Sequence, residues 1–348
     1  MLEEIRQQPA ALERTLRSET RRAESLRKVF AAKKPRMIVL AARGTSDNAA
    51  QFGRYLLELT TRIPVSLSAP SIYTLYGAPV QLEDALVVGI SQSGESTDTN
   101  FVVQRAREVG AITVGVTNER RSALAKIAEH VLLVHAEKEK SVAATKTYTG
   151  QLLAFYLLAY GLGADISLDR VRRIPEWAEA ALRLESLIAE RAERYRFMRQ
   201  ALVVGRGLNY ANAFEFALKL METCYVVAER FSAADLLHGP IAMVESSFPA
   251  FLFTPGGVTW PGMKELADKL DRLKAETLIV TDRSSPEAAK GRRSLVVPAN
   301  LRETKPFEDL FTPIPYIIPA QLFAASLAAV KGLNPDHPRT LEKVTRTL

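Results

Sequence analysis

Cysteine is nearly absent from this chain: Cys224 is the single one among 348 residues. A lone thiol excludes an internal disulfide, agrees with a reducing compartment and cannot complete a thiolate metal set. Histidine is scarce too. The four present, His130, His135, His238 and His337, show no metal-ligand spacing, so neither a metal nor another cofactor is expected. We find no apolar run of about 18 residues and no charged n-region, apolar core and cleavage site at the start, so the expectation is a cytoplasmic protein with no membrane partner. Aromatic residues make up only 7%, and the basic residues are not interleaved with them, which argues against a nucleic-acid groove. Also missing are the G-x-x-x-x-G-K-[ST] and G-x-G-x-x-G loops, so neither a nucleoside triphosphate nor a dinucleotide is the expected ligand.

What is there points to an enzyme-sized globular chain. A 47% hydrophobic and 24% charged composition is ordinary, and 348 residues exceed one average domain, so two cores are expected. The net charge of +7 comes from lysine and arginine spread along the chain, densest between Arg17 and Lys28 and again at Arg120-Arg121. Such a surface suits an anionic metabolite.

Along the chain, residues 1–34 read as a polar helical arm interrupted at Pro9. From Arg36 onward, short apolar runs alternate with helix-length segments: Met37-Ile38-Val39-Leu40, Val65-Ser66-Leu67, Leu86-Val87-Val88, Ile112 to Val116 and Val131 to Val134. That alternation predicts a parallel sheet covered on both faces, closed by a helix from Ala144 to Leu162, with ligands at the carboxyl ends of the strands. A helical bridge from Leu168 to Phe197 leads to a second unit. A helix from Asn209 to about Val227 and an apolar helix from Ile317 to Val330 belong to it, and a polar tail follows from Lys331.

The second unit repeats the first. Ala41-Ala42-Arg43-Gly44 returns as Val204-Gly205-Arg206-Gly207, at an offset of about 163 residues. The same spacing carries Ser91-Gln92-Ser93-Gly94 onto Thr254-Pro255-Gly256-Gly257, and nearly the same carries Val114 to Thr117 onto Leu278 to Thr281. Duplication is the simplest cause. The copies differ where it matters, because the second has lost the serines of its loop.

That loop, Gly89-Ile90-Ser91-Gln92-Ser93-Gly94-Glu95-Ser96, stands between an apolar strand and a helix. Hydroxyls would meet the N–H groups and positive end of a helix there, which makes an anion site for a phosphate monoester. Gly44-Thr45-Ser46 and Ser141 to Thr147 are two further hydroxyl-bearing junctions at the same predicted edge, although serine and threonine also serve simply as helix caps. Only the first copy should hold phosphate. In the second copy, Lys219 and Glu222 lie one turn apart on an apolar helix, where a carboxylate needs a partner or a raised pKa and becomes a proton-transfer candidate. His238 sits in Asp235-Leu236-Leu237-His238-Gly239-Pro240, a loop that Gly-Pro keeps from continuing a helix.

Taken together, Gly44-Thr45-Ser46, Ser91 to Ser96, Val142-Ala143-Ala144-Thr145-Lys146, Ala217 to Glu222, Leu237-His238-Gly239-Pro240 and Pro338 to Lys343 resemble the double sugar-isomerase (SIS) domain family. Within it the likeness is to the isomerase half of glucosamine-6-phosphate synthase and to SIS-type glucosamine-6-phosphate deaminases. The resemblance implies an α/β fold of two tandem SIS domains, each a parallel sheet between helix layers in flavodoxin-like manner. The expected spans are an arm over 1–34, a first domain over 35–165, a second over 166–330 and a tail or lid over 331–348. It further implies that Ser46, Ser91, Gln92, Ser93 and Ser96 hold a sugar 6-phosphate, with Thr45, Val142 and Lys219 near the sugar. Glu222 would move the proton between C1 and C2. His238 would assist ring opening across a homodimer interface, and Lys343 would reach the carbonyl as an amine. Two departures stand out: Ala144 replaces a family serine, and Ser96 replaces a threonine.

A synthase of this kind begins with a glutaminase domain whose terminal cysteine releases ammonia. With no cysteine before Cys224, the expectation is a chain that handles free ammonia and deaminates glucosamine 6-phosphate to fructose 6-phosphate. Closer still to those deaminases is Ser232 to Pro240. The alternatives are a glutamine-independent synthase or isomerase, a deglycase of another amine-bearing sugar phosphate, and a non-catalytic sugar-phosphate sensor.

Overall fold

The computed structural model describes residues 1–304 and 307–341. Two five-stranded parallel sheets organise them. The first contains β1 (Met37–Ala41), β2 (Val65–Leu67), β3 (Ala85–Ile90), β4 (Ile112–Thr117) and β5 (His130–Leu133), in the order β2-β1-β3-β4-β5. The second contains β6 (Gln200–Gly205), β7 (Val227–Ser232), β8 (Pro249–Phe253), β9 (Glu276–Asp282) and β10 (Ser294–Val297), in the order β10-β9-β8-β6-β7. Counted from the other edge the two orders are the same, so the internal repeat is also a repeat of topology. Each is the flavodoxin-like doubly wound order, with its switch point between the first and third strands of the copy.

Burial explains why these segments are strands. Every residue of β3 and β4 is buried, as expected when helices cover both faces and both must be apolar. On one face of the first sheet Val39, Val87, Val102, Val103 and Leu124 share a core. Helix Thr45–Thr61 packs along helix Lys146–Gly161, with Phe52 tilted against Tyr156 at 5.2 Å between ring centroids. In the second sheet Leu202, Val204, Leu252, Leu266 and Ile279 fill one face. Phe216, Phe251 and Phe323 meet edge to face, the last carried by helix Pro313–Val330.

By contact, the chain divides into two compact units that do not follow chain order. The first-sheet unit holds Ala10–Glu139 and Lys146–Arg172. The second-sheet unit holds Met1–Pro9, Lys140–Thr145 and Arg173–Leu341.

Several local expectations need correction. The apolar run of about 18 residues absent from our reading exists: Pro313–Val330 is one helix, long and apolar enough to cross a bilayer, with 83% of it buried inside the protein. The helix expected from Ile317 begins four residues earlier, at Pro313, because proline fits a helix's first turn, where its missing N–H costs nothing. Packing carries the helix through Pro319 as well. The helix expected to reach Val227 is Tyr210–Cys224; it stops because Tyr225 turns left-handed, at φ 53°, and β7 begins two residues later. The bridge from Leu168 is three helices, Leu168–Val171, Ile174–Leu182 and Glu185–Glu193. Finally, the arm breaks at Gln7, and Pro9 lies in the first turn of helix Gln8–Ala32.

Candidate functional site

Two loops meet at the carboxyl edge of the first sheet. β1 and β3 are hydrogen-bonded neighbours in register, Ala41 opposite Gly89, so the segments leaving them emerge together at the switch point. From β1 the chain passes Gly44, at φ 56°, into helix Thr45–Thr61. Ser46 is buried and its Oγ accepts from Gln151 Nε2 at 2.9 Å; Thr45 beside it is half-buried.

From β3 the chain forms the serine loop and enters helix Thr97–Glu108. Three of its carbonyl groups, those of Ser91, Gln92 and Gly94, are taken by donors. Gly94 N–H donates to Ser91 O, Asn118 N–H and Thr117 Oγ1 donate to Gln92 O, and Asn100 Nδ2 and Leu124 N–H donate to Gly94 O. With those three engaged and the Glu95 carboxylate turned to Ala123 N–H, the loop still offers hydroxyls and a helix N-terminus to an anion. Ser91 Oγ accepts from Gly94 N–H at 3.0 Å and Ser93 Oγ from Glu95 N–H at 3.2 Å, so both serines also shape the turn. Ser96, at the N-cap, makes no capping bond with its side chain. Gln92, Ser93 and Ser96 are half-buried and Ser91 is buried.

One ion pair here escaped sequence reasoning. Asp98, buried in the helix's first turn, is held by Arg43 at 2.7 Å and 3.1 Å, which offsets a carboxylate that would otherwise oppose an anion. Arg43 belongs to the repeated Arg-Gly pair, the only signal that could have found it. Burial pushes the nearby Asp47 carboxyl up, with Arg43 opposing.

Gly94 has φ +66°, and a methyl there would lie 2.1 Å from Ser122 Oγ and 2.4 Å from its Cβ. Gly94→Ala must therefore open the loop. We expect a loss of stability of about 1–2 kcal/mol from the backbone alone, and weaker inorganic-phosphate binding by calorimetry. Unchanged phosphate affinity would show that the loop is not the anion site.

The same edge of the second sheet keeps the backbone plan and changes the charge. Thr281 Oγ1 donates to Thr254 O and Gly256 N–H donates to Ser285 Oγ, echoing Thr117 and Ser122. Carboxylates now stand nearby: Asp282 is buried and takes bonds from Tyr316 Oη and Ser284, and Glu308 packs where a Cβ on Gly257 would be. Asp309 is buried near Gly207, and its carboxyl is pushed up to about 6 by burial, its own N–H opposing and Glu308 adding to the rise. Such an edge repels a dianion.

The folded state holds the Asp309 proton more tightly than the unfolded chain does, so stability falls as pH rises from about 4 to about 6 and stays lower above. Asp309→Asn is therefore expected to raise stability at pH 8 by up to about 3 kcal/mol. The gain should vanish below about pH 4. Urea midpoints at the two pH values check this; an equal difference at both would remove the titration as its cause.

The proton-transfer candidates lie in the second-sheet unit, on helix Tyr210–Cys224. Lys219 is fully buried, its Nζ 2.5 Å from Glu222 Oε2 and 3.5 Å from Glu215 Oε1. Positions i−4 and i+3 share one helix face, which is why these three meet. A solvent-facing surface pair is excluded by that burial. Glu215 is fully buried as well and was missed, its spacing of four being the available signal; Glu222 keeps part of its side chain exposed. His238 caps the short helix Ala233–Leu237, its backbone N–H on Ala234 O and Asp235 O. Its imidazole is exposed, with no hydrogen-bond partner among the described residues.

Val142 sits in Lys140–Thr145, which groups with the second sheet although it follows β5. The tail is docked at Arg339: Tyr225 Oη accepts from Arg339 N–H at 2.9 Å, and the Arg339 guanidinium stacks 3.9 Å over that ring. Lys343 lies outside the described residues. Cys224 is buried, and burial pushes its thiol up to about 11, so it is no thiolate at neutral pH.

Fold and edge chemistry together define a duplicated, doubly wound α/β protein with a hydroxyl-lined switch point in one copy. The chain belongs to the SIS domain family, whose model matches residues 32–160 and 196–331. It is 34% identical to the glutamine–fructose-6-phosphate aminotransferase (isomerizing) of Pyrococcus horikoshii over 99% of its own length. It spans 57% of that relative. Among solved structures, the C-terminal domain of glucosamine-fructose-6-phosphate aminotransferase from Francisella tularensis is similar at TM-score 0.87 and 26% identity, covering 97% of this chain and 98% of that one. Glucosamine-6-phosphate deaminase from Thermotoga maritima shares the fold at TM-score 0.79 and 21% identity, over 99% of both chains.

Proposed function

We propose that the protein is an amino-sugar-phosphate enzyme that deaminates glucosamine 6-phosphate to fructose 6-phosphate and ammonia. The observation that carries the reading is Glu222, a carboxylate on a partly exposed side chain, oriented by the wholly buried Lys219 ammonium at 2.5 Å. A proton-transfer group needs that combination of access and fixed geometry. The aminotransferase activity named for the relative concerns the same pair of sugars, and a proton shuttle between C1 and C2 serves either direction.

In this reading the 6-phosphate is held by Ser46, Ser91, Gln92, Ser93 and Ser96, with Thr45 and Val142 serving the sugar; Lys219, expected near the sugar, is sealed from it and orients Glu222 instead. Holding a remote dianion contributes to reaction by positioning the far carbons. His238, supplied by the partner of a homodimer, opens the ring. Glu222 takes the proton from C2 and returns it to C1 while a proton passes from the C2 nitrogen to the C1 oxygen, which leaves an imine at C2; water adds there, the C–N bond breaks and ammonia leaves with the proton of the added hydroxyl as the C2 carbonyl forms. Lys343 would attend the carbonyl.

The test is ammonia release from glucosamine 6-phosphate, run beside galactosamine 6-phosphate and a fructosamine 6-phosphate, with the reverse reaction fed by ammonia or by glutamine. Tight binding of glucosamine 6-phosphate with no ammonia released would make the protein a sensor and end the enzymatic reading.

A further inference from the structure

One buried carboxylate that belongs neither to the serine loop nor to the Glu222 helix has an unusual set of partners. Glu4, on helix Leu2–Arg6, is nine-tenths buried, and it points at the backbone of a segment more than a hundred residues away in sequence. Its Oε1 accepts from Lys140 N–H, and its two oxygens share Ser141 N–H at 3.4 Å and 3.3 Å. Consecutive N–H groups taken by one carboxylate fix a backbone strongly, because charge-assisted bonds exceed neutral ones and neither donor can turn without losing its acceptor.

The same segment is held at two other points. Val142 N–H donates to Asp336 O, and Ser141 Oγ to Pro335 O, each at 3.4 Å. Gln321 Nε2 reaches Thr145 O at 3.3 Å, and Gln321 is itself held by Gln8 Nε2 at 2.9 Å. Glu4 and Gln8 lie one turn apart at the start of the chain's described residues, and Pro335 and Asp336 are where the tail begins. The arm, the Val142 segment and the root of the tail are therefore tied into one hydrogen-bonded frame.

We infer that Glu4 is a positioning residue: through the N–H groups of Lys140 and Ser141 it sets where Val142 presents itself to the sugar, and it makes that placement move together with the tail's root. This rests on the proposed function for the sugar's identity, while the placement itself does not. The anchoring of the phosphate belongs to other residues, so disturbing Glu4 should discriminate between a sugar phosphate and phosphate alone.

Two measurements on the full chain test this. Hydrogen exchange of the free protein should show the Lys140, Ser141 and Val142 amides exchanging about tenfold faster or more in Glu4→Ala, with the Glu222 helix unchanged. Calorimetry should show glucosamine 6-phosphate bound about tenfold more weakly by Glu4→Ala while inorganic phosphate stays within about twofold. Glu4→Gln keeps one carbonyl acceptor and should recover part of both effects; it also serves if the alanine variant does not fold. Unchanged amide exchange overturns the inference, as does an equal loss for both ligands. Faster exchange in a protein whose wild-type form binds phosphate but no amino-sugar phosphate would instead overturn the proposed function.

Discussion

Glu222→Gln is expected to bind glucosamine 6-phosphate almost as wild type does and to release ammonia at a rate lower by a factor on the order of 10² or more. The amide keeps the shape and an oxygen that can still accept from Lys219, 2.5 Å away in the parent, so the helix and its buried lysine stay in place. What it loses is the capacity to take a proton from carbon. Phosphate contacts assigned to the serine loop are untouched. Isothermal titration and coupled ammonia assays on the same preparation read the two quantities separately. A variant that keeps more than about a tenth of the rate would mean that another group is the base.

Lys219→Met is the larger test of stability. The ammonium has no exposed surface and lies 3.5 Å from the fully buried Glu215 as well as against Glu222. Removing it takes a positive charge 3.5 Å away from a carboxylate that water cannot reach, and such a break typically costs about 3–5 kcal/mol. We expect a lower urea midpoint of that order. Adding Glu215→Gln should restore much of the loss, because the double variant buries neither charge, and the resulting double-mutant cycle gives the coupling directly. A loss below about 1 kcal/mol would show that Lys219 does not compensate Glu215. Stability and turnover need not move together: Lys219→Met should also misplace Glu222 and depress turnover even at temperatures where the chain remains folded.

Much of the fold was legible because the relevant signals are local. Runs such as Leu86-Val87-Val88 and Ile112 to Val116 are apolar at every position, and β3 and β4 are buried throughout. The duplication was visible as three matched segments in one register, and the strand orders of the two sheets agree with it. Less was legible where tertiary packing overrides local preference. Tyr225 turns left-handed and ends a helix that Val226 and Val227 gave no reason to stop. Pro319 lies inside a helix because its neighbours are buried on all sides.

At the candidate site the pattern is similar. Thr45, Ser46, Ser91, Gln92, Ser93 and Ser96 were found from their places after strands and before helices, since those junctions are written in consecutive residues. Lys219 and Glu222 were found from a spacing of three. Arg43 with Asp98, Glu215 with Lys219, and Glu4 with the Val142 segment were not found. Each joins residues whose closeness depends on how elements pack, or on whether a charge is buried.

By itself, the order of residues determined that this protein is a doubled α/β chain with hydroxyls concentrated at one end of its first sheet, because periodicity and junction chemistry extend over a few neighbouring positions; the SIS assignment came from the likeness of its motifs. Only the folded structure decided that β1 and β3 place those hydroxyls side by side, that Lys219 is sealed from water, and that the chain's fourth residue holds the backbone near its hundred-and-fortieth. Register, burial and long-range hydrogen bonds arise from packing, which no stretch of sequence carries alone.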